Sequence, residues 1–130
     1  MAADFSLHRR RYFARQQAME TSISPLRARL RARLAAGSPA MAQLAAVDGV
    51  MEQTLGARER TLLSSVPVLL QGHFERLRQA DLATPREPSR GVTEGNWPEV
   101  FCKDMQDVLL AELDIRFQPV DGLLDALRMK

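Results

Sequence analysis

Cysteine occurs once, at Cys102, so no internal disulfide framework holds the chain, and the composition fits a reducing compartment. Aromatic residues are scarce: one Trp, one Tyr and five Phe. Val, Ile and Thr are thinly spread, which argues against a sheet protein. The longest apolar run, VPVLL at 66–70, falls far short of the ~20 residues that a spanning helix needs. Residues 1–13, MAADFSLHRRRYF, hold no apolar core of a secretory signal. A cytoplasmic protein without membrane insertion is expected.

Chemical motifs are missing too. There is no phosphate-cradling glycine loop, no G-x-S-x-G elbow and no zinc-ligand spacing. His8 and His73 stand apart in sequence and read as ordinary polar or seam residues rather than metal ligands. Cys102 has no base beside it that marks a nucleophile and reads as a buried structural residue. Asp104 and Asp107 share a helical face, but no His or calcium loop accompanies them. With Glu112, Asp114, Asp121 and Asp125 they read as a solvated acidic face. No enzyme, cofactor or metal is expected.

What remains is rich in Leu, Ala, Arg, Gln, Met and Glu, all helix formers. At 130 residues the chain is one domain's worth, and an all-α domain is expected. Charge is unevenly placed. Residues 1–36 carry eight Arg against Asp4 and Glu20, a balance of +6; residues 37–96 balance to −1 and residues 97–130 to −3. The acidic end is expected to pack beside the basic start. The alternative is that the start faces nucleic acid or an acidic partner.

The stretch PLRARLRARL alternates apolar and charged residues with the period of a strand, yet its residue types favour a helix. On a helix, Leu26, Leu30 and Leu34 form a seam. Arg29 and Arg33 flank it on one side, Arg27 and Arg31 on the other. The seam continues backwards through Ile23, Met19, Gln16 and Tyr12. A first helix is predicted over about 4–36, with Pro25 as a kink or a break. Gly37-Ser38-Pro39 reads as a stop, an N-cap and a restart.

A second helix is predicted over 38–80, returning antiparallel, with a seam of Leu44, Val47, Met51, Leu55, Leu62, Val66, Leu69 and Leu77. Phe74 joins that core, and Pro67 is a second kink or break. Residues 81–96, DLATPREPSRGVTEGN, read as a mobile linker. Asn96 can cap a third helix over 96–118, with core residues Phe101, Met105, Leu109 and Leu113. Pro119 bends or ends it, and a fourth helix follows over 120–128. The predicted architecture is an elongated antiparallel helical hairpin packed with C-terminal helices as a three- to four-helix bundle. So long a hairpin leaves seam uncovered, which points to a protein partner or to self-association.

The arginines are the candidate contact residues: Arg9, Arg10, Arg11 and Arg15 in one cluster, Arg27, Arg29, Arg31 and Arg33 in another. Because the leucine seam splits the second cluster, protein contact is favoured over nucleic-acid contact.

Three segments, RRRYFARQQAMETSISPLRARLRARL, SPAMAQLAAVDGVMEQTLGARERTLLSSVPVLLQGHFERLR and FCKDMQDVLLAELDIRFQPVDGLLDALR, together resemble a proteobacterial family of unknown function. That family occurs beside genes for MotA/MotB-like motor proteins and is similar to accessory protein F of type III Zorya anti-phage systems. Its members often carry a further N-terminal segment. The resemblance implies a non-enzymatic adaptor or regulator of a defence system built round a membrane motor, with partners encoded in the same operon. The alternative it leaves is a nucleic-acid-binding effector of that system. It carries over no catalytic residues.

Overall fold

The computed structural model describes residues 4–83 and 96–129. Four helices follow one another: α1 (Ser6–Ala35), α2 (Pro39–Leu63), α3 (Val66–Ala83) and α4 (Trp97–Arg128). Together α2 and α3 form one broken rod running antiparallel to α1. Parallel to α1 runs α4: Phe5 meets Phe101 at one end, while Leu30 and Leu34 cluster with Val120 and Leu123 at the other. The result is an all-α, up-down-up bundle of three rods. The linker expected at 81–96 falls outside the described residues, except that Asp81–Ala83 continue α3 and Asn96 precedes α4.

The helix ends follow local chemistry. The carboxylate of Asp4 accepts from the Ser6 N–H at 3.0 Å and from the Ser6 hydroxyl at 2.8 Å. Ser38 accepts from the Met41 N–H at 3.3 Å, and Pro39 opens α2. A Cβ on Gly37 would lie 3.0 Å from the Met41 sulfur and 3.3 Å from the Leu34 carbonyl, so a side chain there would press on the Met41 side chain and on the end of α1. Asn96 does not cap α4 with its side chain, contrary to expectation; its backbone is already helical and its carbonyl accepts from Glu99 and Val100.

Two prolines behave differently. Within α1, Pro25 sits exposed in an unbroken helix. Buried residues Tyr12, Gln16, Leu30 and Leu34 keep one phase across it. Pro119 likewise lies within α4, so the two C-terminal helices expected are one. At Pro67 the rod does break, so the single helix expected over 38–80 is two. Lacking an N–H, Pro67 cannot donate to the carbonyl of Leu63. The hydroxyls of Ser64 and Ser65 turn back to the Thr61 and Leu62 carbonyls, each at 2.6 Å. The Leu63 carbonyl instead accepts from the side-chain amide of Gln16, at 3.0 Å.

Gln16 also donates to both oxygens of the buried Glu112, at 3.1 and 3.0 Å. Glu112 accepts further from the Tyr12 hydroxyl at 2.8 Å and from Arg116 Nε at 2.9 Å. Burial pushes the Tyr12 hydroxyl well above its ordinary pKa; the Glu112 carboxylate adds to this and Arg116 opposes it, so Tyr12 stays a donor. This polar waist separates two apolar clusters. The aromatic one holds Phe5, Tyr12, Leu70, Phe74 and Phe101, with Phe74 edge-on to Phe101 at 5.0 Å and to Trp97 at 5.1 Å. The aliphatic one holds Leu30, Leu34, Ala45, Val120 and Leu123.

Of the predicted core, Leu30, Leu34, Phe74 and Phe101 are buried, while Met19, Ile23, Leu26, Val66, Leu77, Met105 and Leu109 are partly buried. The seam assigned to the second helix is largely wrong: Leu44, Val47, Met51, Leu55, Leu62 and Leu69 are exposed, as is Leu113 on α4. Instead, Ala45, Asp48 and Glu52 turn α2 towards α1, because the arginines of α1 claim the two carboxylates.

Replacing Gln16 with Leu strips the Leu63 carbonyl of its donor and Glu112 of one of its own. The expected cost is about 1–3 kcal/mol in urea unfolding. Gln17→Leu, on the exposed side of the same turn, should stay within about 0.5 kcal/mol of the parent. Equal stability of the two variants would show that the waist contributes nothing.

Candidate interaction surfaces

The eight arginines of α1 fall into distinct environments. Arg27 grips Asp48 with both arms of its fork: Nε to Oδ2 and Nη2 to Oδ1, each at 2.9 Å. Arg31 Nη1 bridges Asp48 Oδ2 at 3.0 Å and Glu52 Oε1 at 2.6 Å. Ser24 donates to the other oxygen of Glu52 at 3.3 Å. Burial raises the pKa of the Asp48 carboxyl, but the hydrogen bonds and charges of Arg27 and Arg31 outweigh it and hold the group below the ordinary carboxylate range. The Arg31 guanidinium is held above its ordinary value in spite of burial, by the hydrogen bonds it donates to Asp48 and Glu52 and by their charges. Arg27 and Arg31 are therefore structural cations, and the contact role expected of them does not fit.

The other six differ. Arg9, Arg10, Arg11, Arg15, Arg29 and Arg33 are exposed, and none forms an ion pair among the described residues. Arg11 and Arg15 border a cavity of about 420 Å³ between α1 and α4, with Tyr12, Met105 and Leu109 among its lining residues. Cys102 also lines it and is exposed, not buried as expected, because it lies one position round from the core residue Phe101.

A second surface was hidden in the sequence by the seam assignment. From residue 39 to 57 the only charged residues of α2 are Asp48 and Glu52, and both face α1. The outward stripe is apolar: Leu44 is 43% exposed, Val47 50%, Met51 47% and Leu55 51%. It stands about 100° round the helix from the packed face. While α1 packs closely on both α2 and α4, α2 and α4 touch only sparsely. Met51 and Leu55 line a hollow with Pro119 of α4, and Arg27, Glu52 and Glu59 give it a charged side. Further along, Val66, Leu69 and Leu70 line a cavity of about 390 Å³ with Val108. On α4, Val108, Ile115 and Pro119 follow at helical spacing, so both hollows lie along one face of that helix. The two hollows follow the gap between the broken rod and α4, the one at Val66, Leu69 and Leu70 apolar and the one at Met51 and Leu55 bordered by charge.

The residues weighed for chemistry are engaged elsewhere. His73 Nε2 lies 2.8 Å from Asp104 Oδ2 at the groove rim, and Lys103 pairs with Asp107 at 3.1 Å. Glu112, taken for a solvated acid, is buried in the waist. His8 packs on Phe101 with ring centroids 5.1 Å apart; its Nδ1 is buried without a hydrogen-bond partner, and burial, with Arg11 nearby, lowers its pKa. No cluster of three potential metal ligands occurs among the described residues, and no helix there is long and apolar enough to cross a membrane.

A family model described as a protein of unknown function, DUF3348, matches residues 1–129. The chain belongs to the DUF3348 family. No curated protein and no solved structure matches it. Membership agrees with the resemblance as far as a family of unknown function. This DUF3348 protein presents two unlike surfaces, a row of arginines on α1 without an ion pair among the described residues and an apolar stripe on α2.

The clamp makes a pH prediction. The folded pKa of Asp48 is depressed, so its stabilising effect is complete above the unfolded value, about 3.9, and is lost as pH falls through the lower folded value. Melting temperature should fall more steeply below about pH 4 in the parent than in Asp48→Asn. Parallel acid limbs would remove Asp48 from the linkage.

Proposed function

We propose that this DUF3348 protein is a non-enzymatic helical adaptor that receives an amphipathic helix of a protein partner in the groove between the α2–α3 rod and α4. The observation that carries this reading is the reversed amphipathicity of α2: its carboxylates point into the protein and its Leu, Val and Met side chains point out. A monomer gains nothing from so long an uncharged, apolar stripe, whereas a docked helix covers it and completes a four-helix bundle. The apolar stripe Leu44, Val47, Met51 and Leu55 favours a partner helix whose contact stripe is apolar, read at i, i+3, i+4 and i+7, with the charges of Arg27, Glu52 and Glu59 at its edge. The family resemblance supplies the setting: a cytoplasmic accessory role in an anti-phage defence system built round a membrane motor, with the partner encoded in the same operon.

The test is co-expression with the products of adjacent genes, followed by size-exclusion chromatography. A stable complex is expected, and Val47→Glu with Leu55→Glu should weaken it by at least about tenfold. Because both side chains are half-exposed, the melting temperature of the free protein should hold. Absence of any complex, or a complex indifferent to these two charges, would overturn the reading. A homodimer split by the same substitutions would assign the groove to a second copy instead.

A further inference from the structure

We propose that Arg11, Arg15, Arg29 and Arg33 form a linear phosphate-binding edge for double-stranded nucleic acid. This goes beyond the docking reading and does not depend on it, since the groove involves other residues. The four arginines fall within about 40° of one another round α1, because 11 and 29, like 15 and 33, are five whole turns apart. The buried residues Tyr12 and Leu30 are likewise five turns apart and both face the core, so the phase survives Pro25 and the edge is continuous. It lies opposite the edge on which Arg27 and Arg31 are consumed by Asp48 and Glu52.

The arrangement has the attributes of a polyanion site. All four guanidiniums are exposed and without a carboxylate partner among the described residues. Each i, i+4 pair of like charges disfavours the helix, a cost that a bound phosphate removes. Arginine presents a planar fork that matches phosphate oxygens with two hydrogen bonds, where lysine offers a point charge. From Arg11 to Arg33 the row is about 33 Å long, close to the ~34 Å of one duplex turn. Two pairs, one near each end, can each hold one crossing of the backbone within that turn.

The shape of the edge selects the ligand. A lipid surface is planar and suits a broad cationic face, whereas this row is one residue wide. Single-stranded nucleic acid needs aromatic platforms for its bases. The exposed aromatic of this segment, Phe13, projects from the other side of α1, about 160° from Arg15. What the row can contact is a rigid double backbone, with phosphates gripped and no base read.

The experiment is fluorescence anisotropy with a labelled duplex of about 20 base pairs, two turns long. Four phosphate contacts predict a log–log salt slope of about −3.6, so affinity should fall roughly a hundredfold between 50 and 200 mM salt. Arg11→Gln with Arg29→Gln should halve the slope, and glutamine at all four positions should abolish binding. The helix is retained because glutamine is a good helix former, and circular dichroism checks it. Arg58→Gln with Arg76→Gln, exposed arginines on α2 and α3, should leave the slope unchanged. No binding at 50 mM salt would overturn the proposal. So would duplex binding that survives the fourfold change. A preference for single strands, or for vesicles containing phosphatidylserine, over the duplex would overturn it equally.

Discussion

A single side-chain amide holds the three rods in register. Gln16 Nε2 has two hydrogens and finds two acceptors: the Leu63 carbonyl that Pro67 leaves without a donor, and the buried carboxylate of Glu112. The break in the second rod is therefore not a local accident of sequence. It creates an acceptor at the height where α1 can satisfy it and where α4 brings a charge that also needs donors. Sliding any rod by one turn would strand a carbonyl and a carboxylate in the interior, each costing more than a misplaced methyl group. The apolar clusters on either side supply most of the burial, but they tolerate repacking, and the waist does not.

From that fixed register follows the division of labour among the arginines. With α1 and α2 set against each other, Arg27 and Arg31 lie opposite Asp48 and Glu52 and bind them in a compact, mostly shielded cluster. That cluster draws the carboxylates of α2 inward and turns its hydrophobic stripe to the outside. The charge pairs and the packing of Ala45 and Met41 on the aliphatic cluster lie on the same side of α2, and together they leave its apolar stripe without cover. The exposed apolar stripe of α2 is thus a by-product of how the helix is held.

Much of the architecture was legible in the sequence. Helix-forming composition, the Gly37-Ser38-Pro39 restart and the leucine seam of α1 all led to a helical bundle with a short first turn. The seam of α2 was misread because periodicity shows that one face is apolar, not which way it points. Only the partner helix decides that, and the deciding residues, Asp48 and Glu52, look like ordinary surface acids. Glu112 was misread for the same reason, since nothing local distinguishes a buried carboxylate from a solvated one. The Pro67 break had a signal in the missing N–H, but its acceptor's partner, Gln16, lies 47 positions away. At the candidate sites, the sequence separated two rows of arginine correctly and could not say which row the fold would use.

An alternation of charged and apolar residues is usually a strand's device for having two faces. In α1 it does something else. Residues two apart on a helix stand about 200° apart, so the alternating arginines are dealt in turn to opposite edges. One hand is spent on the protein itself and the other is offered outward. Internal ion pairing and exposed charge are thereby interleaved residue by residue along PLRARLRARL without sharing a side chain. Stability and outward charge can drift independently within a segment only ten residues long.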